Sequence, residues 1–150
     1  MNRNTDFRAL CSLTYGVYIV TSHLEEKLNG QLANTVFQVA SEPPRIAVSI
    51  SPTNLTHDYI VKSGVFGVSV VDESAPMKLM GLFGFRSGRD VDKLSQVSFK
   101  RGSNGCPLVT DSALALLEAR VIEQIGVGSH TLFVADVVAA EMLREGRPLS

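Results

Sequence analysis

The chain has 150 residues, 45% of them hydrophobic, and contains no low-complexity tract. That length is enough to bury one sizeable core, so we expect a single domain over residues 1–150. Its 14 basic and 15 acidic residues are intermixed and give a formal net charge of -1. The sequence therefore offers no field of one sign for nucleic acid or an anionic membrane surface, and we expect neither as a partner.

The N-terminus and the cysteines indicate the cellular setting. Three polar or charged residues follow Met1, and no apolar stretch after them is long enough for a signal peptide or a membrane span. We therefore expect a cytoplasmic protein. Cys11 and Cys106 are far apart and form no CxxC pair, which predicts two ordinary thiols, buried or partly buried, and neither a zinc site nor a disulfide framework.

In chain order, the first predicted element is a short helix capped by Asn4 or Thr5, because apolar residues recur at helical spacing as far as Leu13. The Asn29-Gly30 pair suits a tight turn that joins the first two strands into a hairpin. Runs rich in β-branched and aromatic residues predict strands over 15–22, 33–39, 45–51 and 65–71.

Two further short helices are predicted between these strands and after them. Asn54 can cap a helix that ends near residue 63, with Gly64 as its stop. Pro76 can occupy the first turn of another helix, which dissolves into the loop 84–90.

The C-terminal third is ambiguous on propensity. Residues 113–120 are rich in Ala, Leu and Glu and resemble a helix, but β-branched runs follow at 121–125 and 131–138 around a glycine-containing turn. We interpret this part as two long antiparallel strands. The total is then six or seven strands with two or three short helices, a mainly β domain in which a closed or split barrel hides its strand edges.

No local motif indicates hydrolysis or nucleotide binding. The sequence lacks GxSxG, HExxH, GxxxxGK[ST] and a GxGxxG that opens a helix, and its three histidines are few for a metal site.

Four polar features remain as candidates: Asn34-Thr35, the segment 49–57, the Arg- and Gly-containing segment 83–93, and His130. They can bind a ring edge, a phosphate at a helix N-terminus, a phosphate between arginines, and a flavin or phosphate, respectively. Each also has a purely structural explanation: a cross-strand polar pair, a helix cap, a solvated loop and a strand-end turn.

Several short strings, taken in their order and spacing, resemble the flavin-reductase-like family of FMN-binding split barrels. They are Asn29-Gly30, 33–38, Pro43-Pro44, Thr56-His57, 87–93 and 128–134. The likeness covers nearly the whole chain. It is closest to the branch that includes small flavin or ferric reductases and the reductase domains of modular rubredoxin-like proteins.

The resemblance implies a mainly β, Greek-key-like split β-barrel that forms a homodimer, with one FMN per subunit near the interface. It implies hydride transfer from NADH or NADPH to FMN, and then electron transfer to free flavin, ferric complexes, oxygen or an electron-acceptor protein. No catalytic acid, base or nucleophile is expected, because the cofactor carries the chemistry. The implied cofactor-binding residues are Asn34, Thr35, Ser49, Ser51, Thr56, His57, Phe85, Arg86, Ser87 and His130.

Within that set, the resemblance implies that Asn34 and Thr35 face the flavin and that Thr56, Arg86 and Ser87 bind the phosphate. Strand-end residues, an aromatic wall and a histidine beside the flavin complete the implied site: Ser49, Ser51, Phe85 and His130.

Three other interpretations stay open on the sequence. The chain can be an electron-transfer protein that holds FMN tightly and is reduced by a partner, a barrel dimer without a cofactor, or a pyridoxamine-phosphate-oxidase-like barrel.

The sequence departs from the family pattern at its C-terminal end. Family members usually continue past the motif resembling residues 145–149 into a tyrosine-rich segment, whereas this chain stops at Ser150. We therefore expect either a natural short form or an absent C-terminal segment or domain.

Overall fold

The computed structural model describes residues 4–150, with nine strands and three α-helices in that range. The strands are β1 (Tyr18–Leu24), β2 (Lys27–Ala33), β3 (Val36–Ser41), β4 (Pro44–Ile50), β5 (Val65–Val71), β6 (Phe99–Arg101), β7 (Pro107–Val109), β8 (Ala113–Gly126) and β9 (Thr131–Met142). The helices are α1 (Phe7–Leu10), α2 (Leu55–Ser63) and α3 (Met77–Gly84), and a 3-10 turn covers Leu94–Gln96. Within the described range, no helix is long and apolar enough to cross a membrane.

Seven strands form one antiparallel sheet in the order β2-β1-β5-β8-β9-β4-β3, and β6 and β7 form a separate hairpin. The two edge strands, β2 and β3, are consecutive in the chain and are joined by only two residues, Asn34 and Thr35. The chain therefore steps from one edge of the sheet to the other at this link. We call the gap between the two edges the seam. The predicted mainly β fold with a few short helices is confirmed.

The main hydrophobic cluster lies on one face of the sheet, and a second cluster, which includes Ile19 of β1, lies on the other face. Phe66 of β5 and Phe133 of β9 are fully buried, and Ile60 of α2 packs into the same cluster. Burying a large apolar side chain contributes about 1.5–3 kcal/mol, so this cluster fixes α2 against the sheet. The N-terminus of α2 is thereby held near the seam.

β8 shows why the helix-like composition of residues 113–120 does not produce a helix. β8 pairs with β5 on one side and with β9 on the other, and in its first part buried side chains alternate with partly buried ones. Tertiary pairing on both edges outweighs a propensity difference of a few tenths of a kcal/mol per residue. The prediction of two long antiparallel strands is confirmed, and β8 and β9 run from Ala113 to Met142.

The first hairpin differs from the prediction. β1 ends at Leu24 and β2 begins at Lys27, so the turn consists of the two glutamates between them. The Asn29-Gly30 pair lies inside β2, where a side chain at Gly30 would collide with neighbouring side chains, so this glycine serves packing and not a turn. The predicted strand 33–39 is also wrong in its bounds, because the seam link divides it between β2 and β3.

Two N-terminal predictions are wrong. The cap of α1 is Asp6 and neither Asn4 nor Thr5, because the Asp6 carboxylate accepts the Arg8 backbone N–H at 3.0 Å. Cys11, at the end of this short exposed helix, is exposed and not buried.

The central elements agree better with the sequence. β5 has the predicted bounds, and α2 ends at Gly64, which adopts φ 76° and donates its N–H to the Ile60 carbonyl at 2.8 Å. Asn54 occupies the predicted N-cap position, but its side chain makes no capping hydrogen bond. The predicted count of six or seven strands fits the main sheet only, since the hairpin of β6 and β7 has three residues in each strand and gives no periodic signal.

Candidate functional site

A continuous groove lies between the end of β2, the start of α2 and the loop after α3. It consists of two cavities, one of about 310 Å³ that contains Lys93 and one of about 340 Å³ that contains His130. We call them the lysine cavity and the histidine cavity, and together they form the groove. Both are lined by the same five residues at their junction: Gln31, Leu32, Asn54, Gly84 and Phe85. A ligand with a polar end and a ring end can therefore occupy both.

Lys93 is a buried cation without a counter-ion in the described residues. It is 3% exposed, and its Nζ donates to the carbonyls of Gly30 at 2.9 Å and Phe83 at 3.5 Å. The ring of Phe83 lies 5.8 Å from Nζ, but within residues 4–150 Lys93 forms no ion pair with a carboxylate. Burial lowers the pKa of Lys93 to about 8. The lysine cavity therefore has an uncompensated positive charge in its wall.

Thr56 adds a directed hydroxyl to the same cavity. The buried Asn29 amide donates from Nδ2 to Thr56 Oγ1 at 2.9 Å. Because Thr56 Oγ1 accepts this bond, its own hydrogen remains available for another acceptor. Thr56 also lies in the first turn of α2, where backbone N–H groups lack helical partners and favour an anion.

Gly88 allows the loop after α3 to close on this arrangement. A Cβ at Gly88 would collide with the Asn29 side chain, so only glycine permits the loop to approach so closely. Arg86 and Ser87 precede it in the loop and line the lysine cavity. Two cations, a hydroxyl and a helix start thus surround one small cavity, which is the donor set of a phosphate site.

Gln31 lies where the two cavities meet. Its Oε1 is buried and has no hydrogen-bond partner, while its Nε2 donates to the Leu32 carbonyl at 3.5 Å. A buried acceptor without a donor costs about 1–3 kcal/mol, so this atom fits a ligand that brings a hydroxyl to the junction. FMN has a hydroxylated chain between its phosphate and its ring, so the unpaired Gln31 oxygen and the unpaired Lys93 charge both fit that cofactor.

The histidine cavity is lined by short polar side chains at strand ends. Asn34 lies on the seam link, Ser49 and Ser51 lie at the end of β4, and His130 lies immediately before β9. The pairing of Ile50 with Thr131 brings the end of β4 beside the start of β9. These groups can donate to the polar edge of a ring, while Phe85 at the junction supplies an aromatic wall.

Eight of the ten predicted site residues therefore line the groove. In the lysine cavity they are Thr56, Phe85, Arg86 and Ser87, and in the histidine cavity they are Asn34, Ser49, Ser51, Phe85 and His130.

The other two predicted residues, Thr35 and His57, line neither cavity. Thr35 donates to the Asn34 side chain at 3.0 Å and accepts the Ser49 N–H at 3.2 Å, so it shapes the seam link. His57 lies on the side of α2 that faces β9, where Nε2 is 2.8 Å from Thr131 Oγ1 and the ring lies 5.3 Å from Phe133. These contacts pack the ring between α2 and β9, while its Nδ1 is buried without a hydrogen-bond partner, so the assignment of His57 to the cofactor stays a prediction.

The predicted set of site residues omits four polar residues that line the groove: Asn29, Gln31, Asn54 and Lys93. The Asn29-Gly30 pair predicted a turn, and that assignment concealed the side chain of Asn29. Asn54 lies in the candidate segment 49–57, but the sequence singles it out only as a helix cap. Nothing in the local sequence distinguishes Lys93 from a solvated lysine, although it belongs to the 87–93 string that carries the family resemblance.

Residues 10–150 match the sequence model of the family described as flavin reductase like domain. The chain belongs to this family. It is 45% identical over 145 residues to a ferric-chelate reductase (NAD(P)H) of Archaeoglobus fulgidus, covering 97% of this chain and 86% of that protein. It is 43% identical over 145 residues to a high molecular weight rubredoxin of Moorella thermoacetica, covering 97% of this chain but only 63% of that protein.

A solved structure supports the fold assignment of this flavin-reductase-like domain. An FMN-binding protein from Thermus thermophilus with bound 1-cyclohex-2-enone superposes with a TM-score of 0.82 at 32% identity, over 91% of this chain and 78% of that one. The predicted family and the predicted split-barrel fold class are both confirmed.

Proposed function

We propose that this domain binds FMN in the groove and catalyses the oxidation of NADH or NADPH, with hydride transfer to FMN. The observation that carries the proposal is the division of the groove into a cationic end at Lys93 and Arg86 and a polar, uncharged end at Asn34 and His130. The first end suits a phosphate, and the second suits a ring edge. The electrons then pass to free flavin, a ferric complex, oxygen or an acceptor protein in the cytoplasm.

The residues of the phosphate end hold and neutralise the cofactor. Lys93 and Arg86 offset the phosphate charge, the Thr56 hydroxyl and the first turn of α2 donate to its oxygens, and Ser87 closes the cavity from the loop. Gln31 Oε1 accepts a hydroxyl of the chain between phosphate and ring. These contacts would give Lys93 the anion that it lacks in the described residues and would give Gln31 Oε1 the donor that it lacks.

The residues of the ring end orient the flavin and adjust its electron affinity. FMN, when bound, supplies the hydride chemistry, so no side chain needs to act as nucleophile, acid or base. The Asn34 amide and the hydroxyls of Ser49 and Ser51 can donate to the ring edge and stabilise the negative charge that accompanies reduction. His130 lies beside the ring, and Phe85 limits the groove on its apolar side.

A homodimer is part of the proposal. Large apolar side chains are exposed on β3, β8 and β9, including Phe37, Val39, Ile122, Ile125 and Val138. Several exposed large apolar side chains on the strands of one sheet favour a contact with another protein. A second copy that covers β3 would also lie close to the seam and the histidine cavity.

An electron-transfer role is the second candidate, and the comparison with the longer rubredoxin favours it. This chain spans 63% of that relative, so the remainder of such a protein has room for a further redox module. In that case FMN is held in the same groove but receives electrons from a partner protein and reacts slowly with nicotinamides.

Anaerobic stopped-flow absorbance distinguishes the two candidates. The FMN-reconstituted protein is mixed with NADH and with NADPH, and the flavin band is followed. Rapid bleaching with either donor supports the reductase and identifies the donor, whereas bound flavin that stays oxidised with both supports the electron carrier. Protein that binds no FMN refutes both. Arg86→Ala should weaken FMN binding, while Arg144→Ala, which removes an exposed arginine outside the groove, should not.

A further inference from the structure

The first turn of α2 carries three consecutive polar residues, and each of them contacts a different part of the domain. Thr56 accepts a hydrogen bond from the Asn29 amide of β2. The Asp58 carboxylate accepts one from the Arg89 guanidinium, in the loop after α3, at 3.2 Å. His57, between them, reaches the start of β9. The turn that forms part of the phosphate end of the groove is therefore connected to β9 through a histidine.

A single ring nitrogen makes the contact between His57 and β9. The His57 side chain is 12% exposed, and its Nε2 lies 2.8 Å from Thr131 Oγ1. A hydroxyl can donate to a bare ring nitrogen or accept from a protonated one, so this hydrogen bond forms in either neutral tautomer. Nδ1 is buried without a hydrogen-bond partner, and the carboxylate oxygen Asp58 Oδ1 is 3.6 Å away, beyond hydrogen-bond distance. Among the described residues, His57 is thus anchored by a hydrogen bond at Nε2 alone.

Thr131 lies where the polar residues of the histidine cavity converge. It is the first residue of β9, so it directly follows His130, and it pairs with Ile50 of β4. Ser49 and Ser51 flank Ile50, and both serines line the histidine cavity together with His130. A hydrogen bond to Thr131 therefore fixes the strand start that carries the histidine and the neighbouring strand end that carries the two serines.

We propose that His57 is a positioning residue, which acts through Thr131 to hold the ring end of the groove in place relative to the phosphate end. This inference rests on the proposed function for what the groove binds, and it gives His57 a role that needs no contact with the cofactor. Hydride transfer requires reacting atoms about 3–3.5 Å apart, and a displacement of about 1 Å can slow a reaction about 100-fold. Loss of the bond between His57 and Thr131 should therefore affect the rate of flavin reduction more than the binding of FMN.

Two amide substitutions separate the roles of the two ring nitrogens. His57→Gln places an amide nitrogen near the position of Nε2 and can keep the hydrogen bond to Thr131. The side chain in His57→Asn reaches only the position of Nδ1, where the native ring makes no hydrogen bond, so the bond to Thr131 is lost. Thr131→Val removes the same bond from β9 without altering α2. His23→Asn is the matched control, because His23 Nε2 also bonds a distant group, the Asn104 carbonyl at 3.1 Å, but lines neither cavity of the groove.

The experiment compares the Kd for FMN by fluorescence, the anaerobic rate of flavin bleaching at saturating NADH or NADPH, and the visible circular dichroism of bound flavin. We expect His57→Asn and Thr131→Val each to slow bleaching about tenfold or more and to change the dichroism, with little change in the Kd. His57→Gln should recover most of the wild-type rate. The double variant of His57→Asn and Thr131→Val should be no slower than the slower single variant, since both remove one interaction. His23→Asn should keep the wild-type rate and dichroism, even if it unfolds at a lower temperature.

Two results overturn this role of His57. If both His57 variants weaken FMN binding while Thr131→Val behaves as wild type, His57 contacts the cofactor directly. If His57→Asn and Thr131→Val keep the wild-type rate and dichroism, the hydrogen bond positions nothing.

Failure of the proposed function is recognised separately, in the wild type. Bound flavin that is not bleached supports the electron carrier, and the dichroism and reduction potential of FMN then replace the rate as readouts. Wild type that binds no FMN contradicts the proposed function itself. The role of His57 is then tested in the ligand-free protein, where His57→Asn and Thr131→Val should both shift the backbone amide NMR signals of Ser49, Ser51 and His130; unchanged signals overturn it.

Discussion

The protonation state of Lys93 should control how tightly FMN is held. A lysine whose pKa is lowered to about 8 by burial is charged below that pH and neutral above it. The FMN phosphate has its second pKa near 6, so it stays doubly charged from pH 7 to pH 9. Within that window only the positive charge on the protein side of this contact changes, and binding weakens as pH rises.

The magnitude follows from the population of the charged form. With a pKa of about 8, the charged fraction of Lys93 in the free protein is about 0.9 at pH 7 and about 0.1 at pH 9. If only the charged form binds phosphate well, the apparent Kd for FMN rises about tenfold over this range. The apparent Kd is measured by fluorescence titration of FMN at half-unit pH steps and constant ionic strength.

Lys93→Met tests whether Lys93 is the source of the pH dependence. At pH 7 this variant should bind FMN about tenfold more weakly or worse, because it loses a charged hydrogen bond worth about 1.5–3 kcal/mol, and its Kd should be flat from pH 7 to pH 9. Its ligand-free form should unfold at the same temperature as wild type or higher, because an uncompensated buried charge is gone. Lys62→Met, on the exposed end of α2, serves as the matched control. A steep pH profile that persists in Lys93→Met would refute this reasoning.

Three further substitutions probe the loop, the core and the sheet surface. Gly88→Ala should weaken FMN binding by displacing the loop from Asn29, with a small effect on thermal unfolding; equal FMN affinity in both proteins would contradict the close approach. Phe133→Ala should lower the free energy of unfolding by about 3–5 kcal/mol in urea, because a fully buried ring is lost, and a change under about 1 kcal/mol would be inconsistent with this packing. Asp136 has its pKa lowered by the Arg45 guanidinium, so its stabilising effect is present at neutral pH and disappears as pH falls below the usual carboxyl range. Asp136→Asn should thus be less stable than wild type at pH 7 and equal to it near pH 2, and a constant difference across that range would count against the ion pair.

The sequence predicts elements well where one local signal decides the backbone. Gly64 ends α2 because a left-handed residue is needed there, and β5 follows from a run rich in valine. Prediction from the sequence fails where tertiary contacts decide the backbone conformation. Asn29-Gly30 has the composition of a turn, but the strand partner of β2 and the crowded surroundings of Gly30 place it inside a ladder.

The functional site also contains residues that the sequence could predict and residues that it could not. Residues at strand ends and in the glycine-containing loop could be predicted only through the family resemblance, since each of them also has a purely structural explanation. Lys93 and Gln31 could not, because their importance lies in what they lack, an anion and a donor, and both absences arise from burial that only the folded chain produces.

The position of the groove follows from the topology of the sheet. Edge strands leave backbone groups unpaired, and most domains protect them from other chains. Here both edges belong to consecutive strands, so the seam between them needs only the link Asn34-Thr35 to cross it. The groove runs along that seam, with α2 held at one end by the core and the loop after α3 at the other. A split barrel thus keeps a rigid core and a ligand groove in one small domain, because the opening that leaves the edges unpaired is the one that admits the ligand.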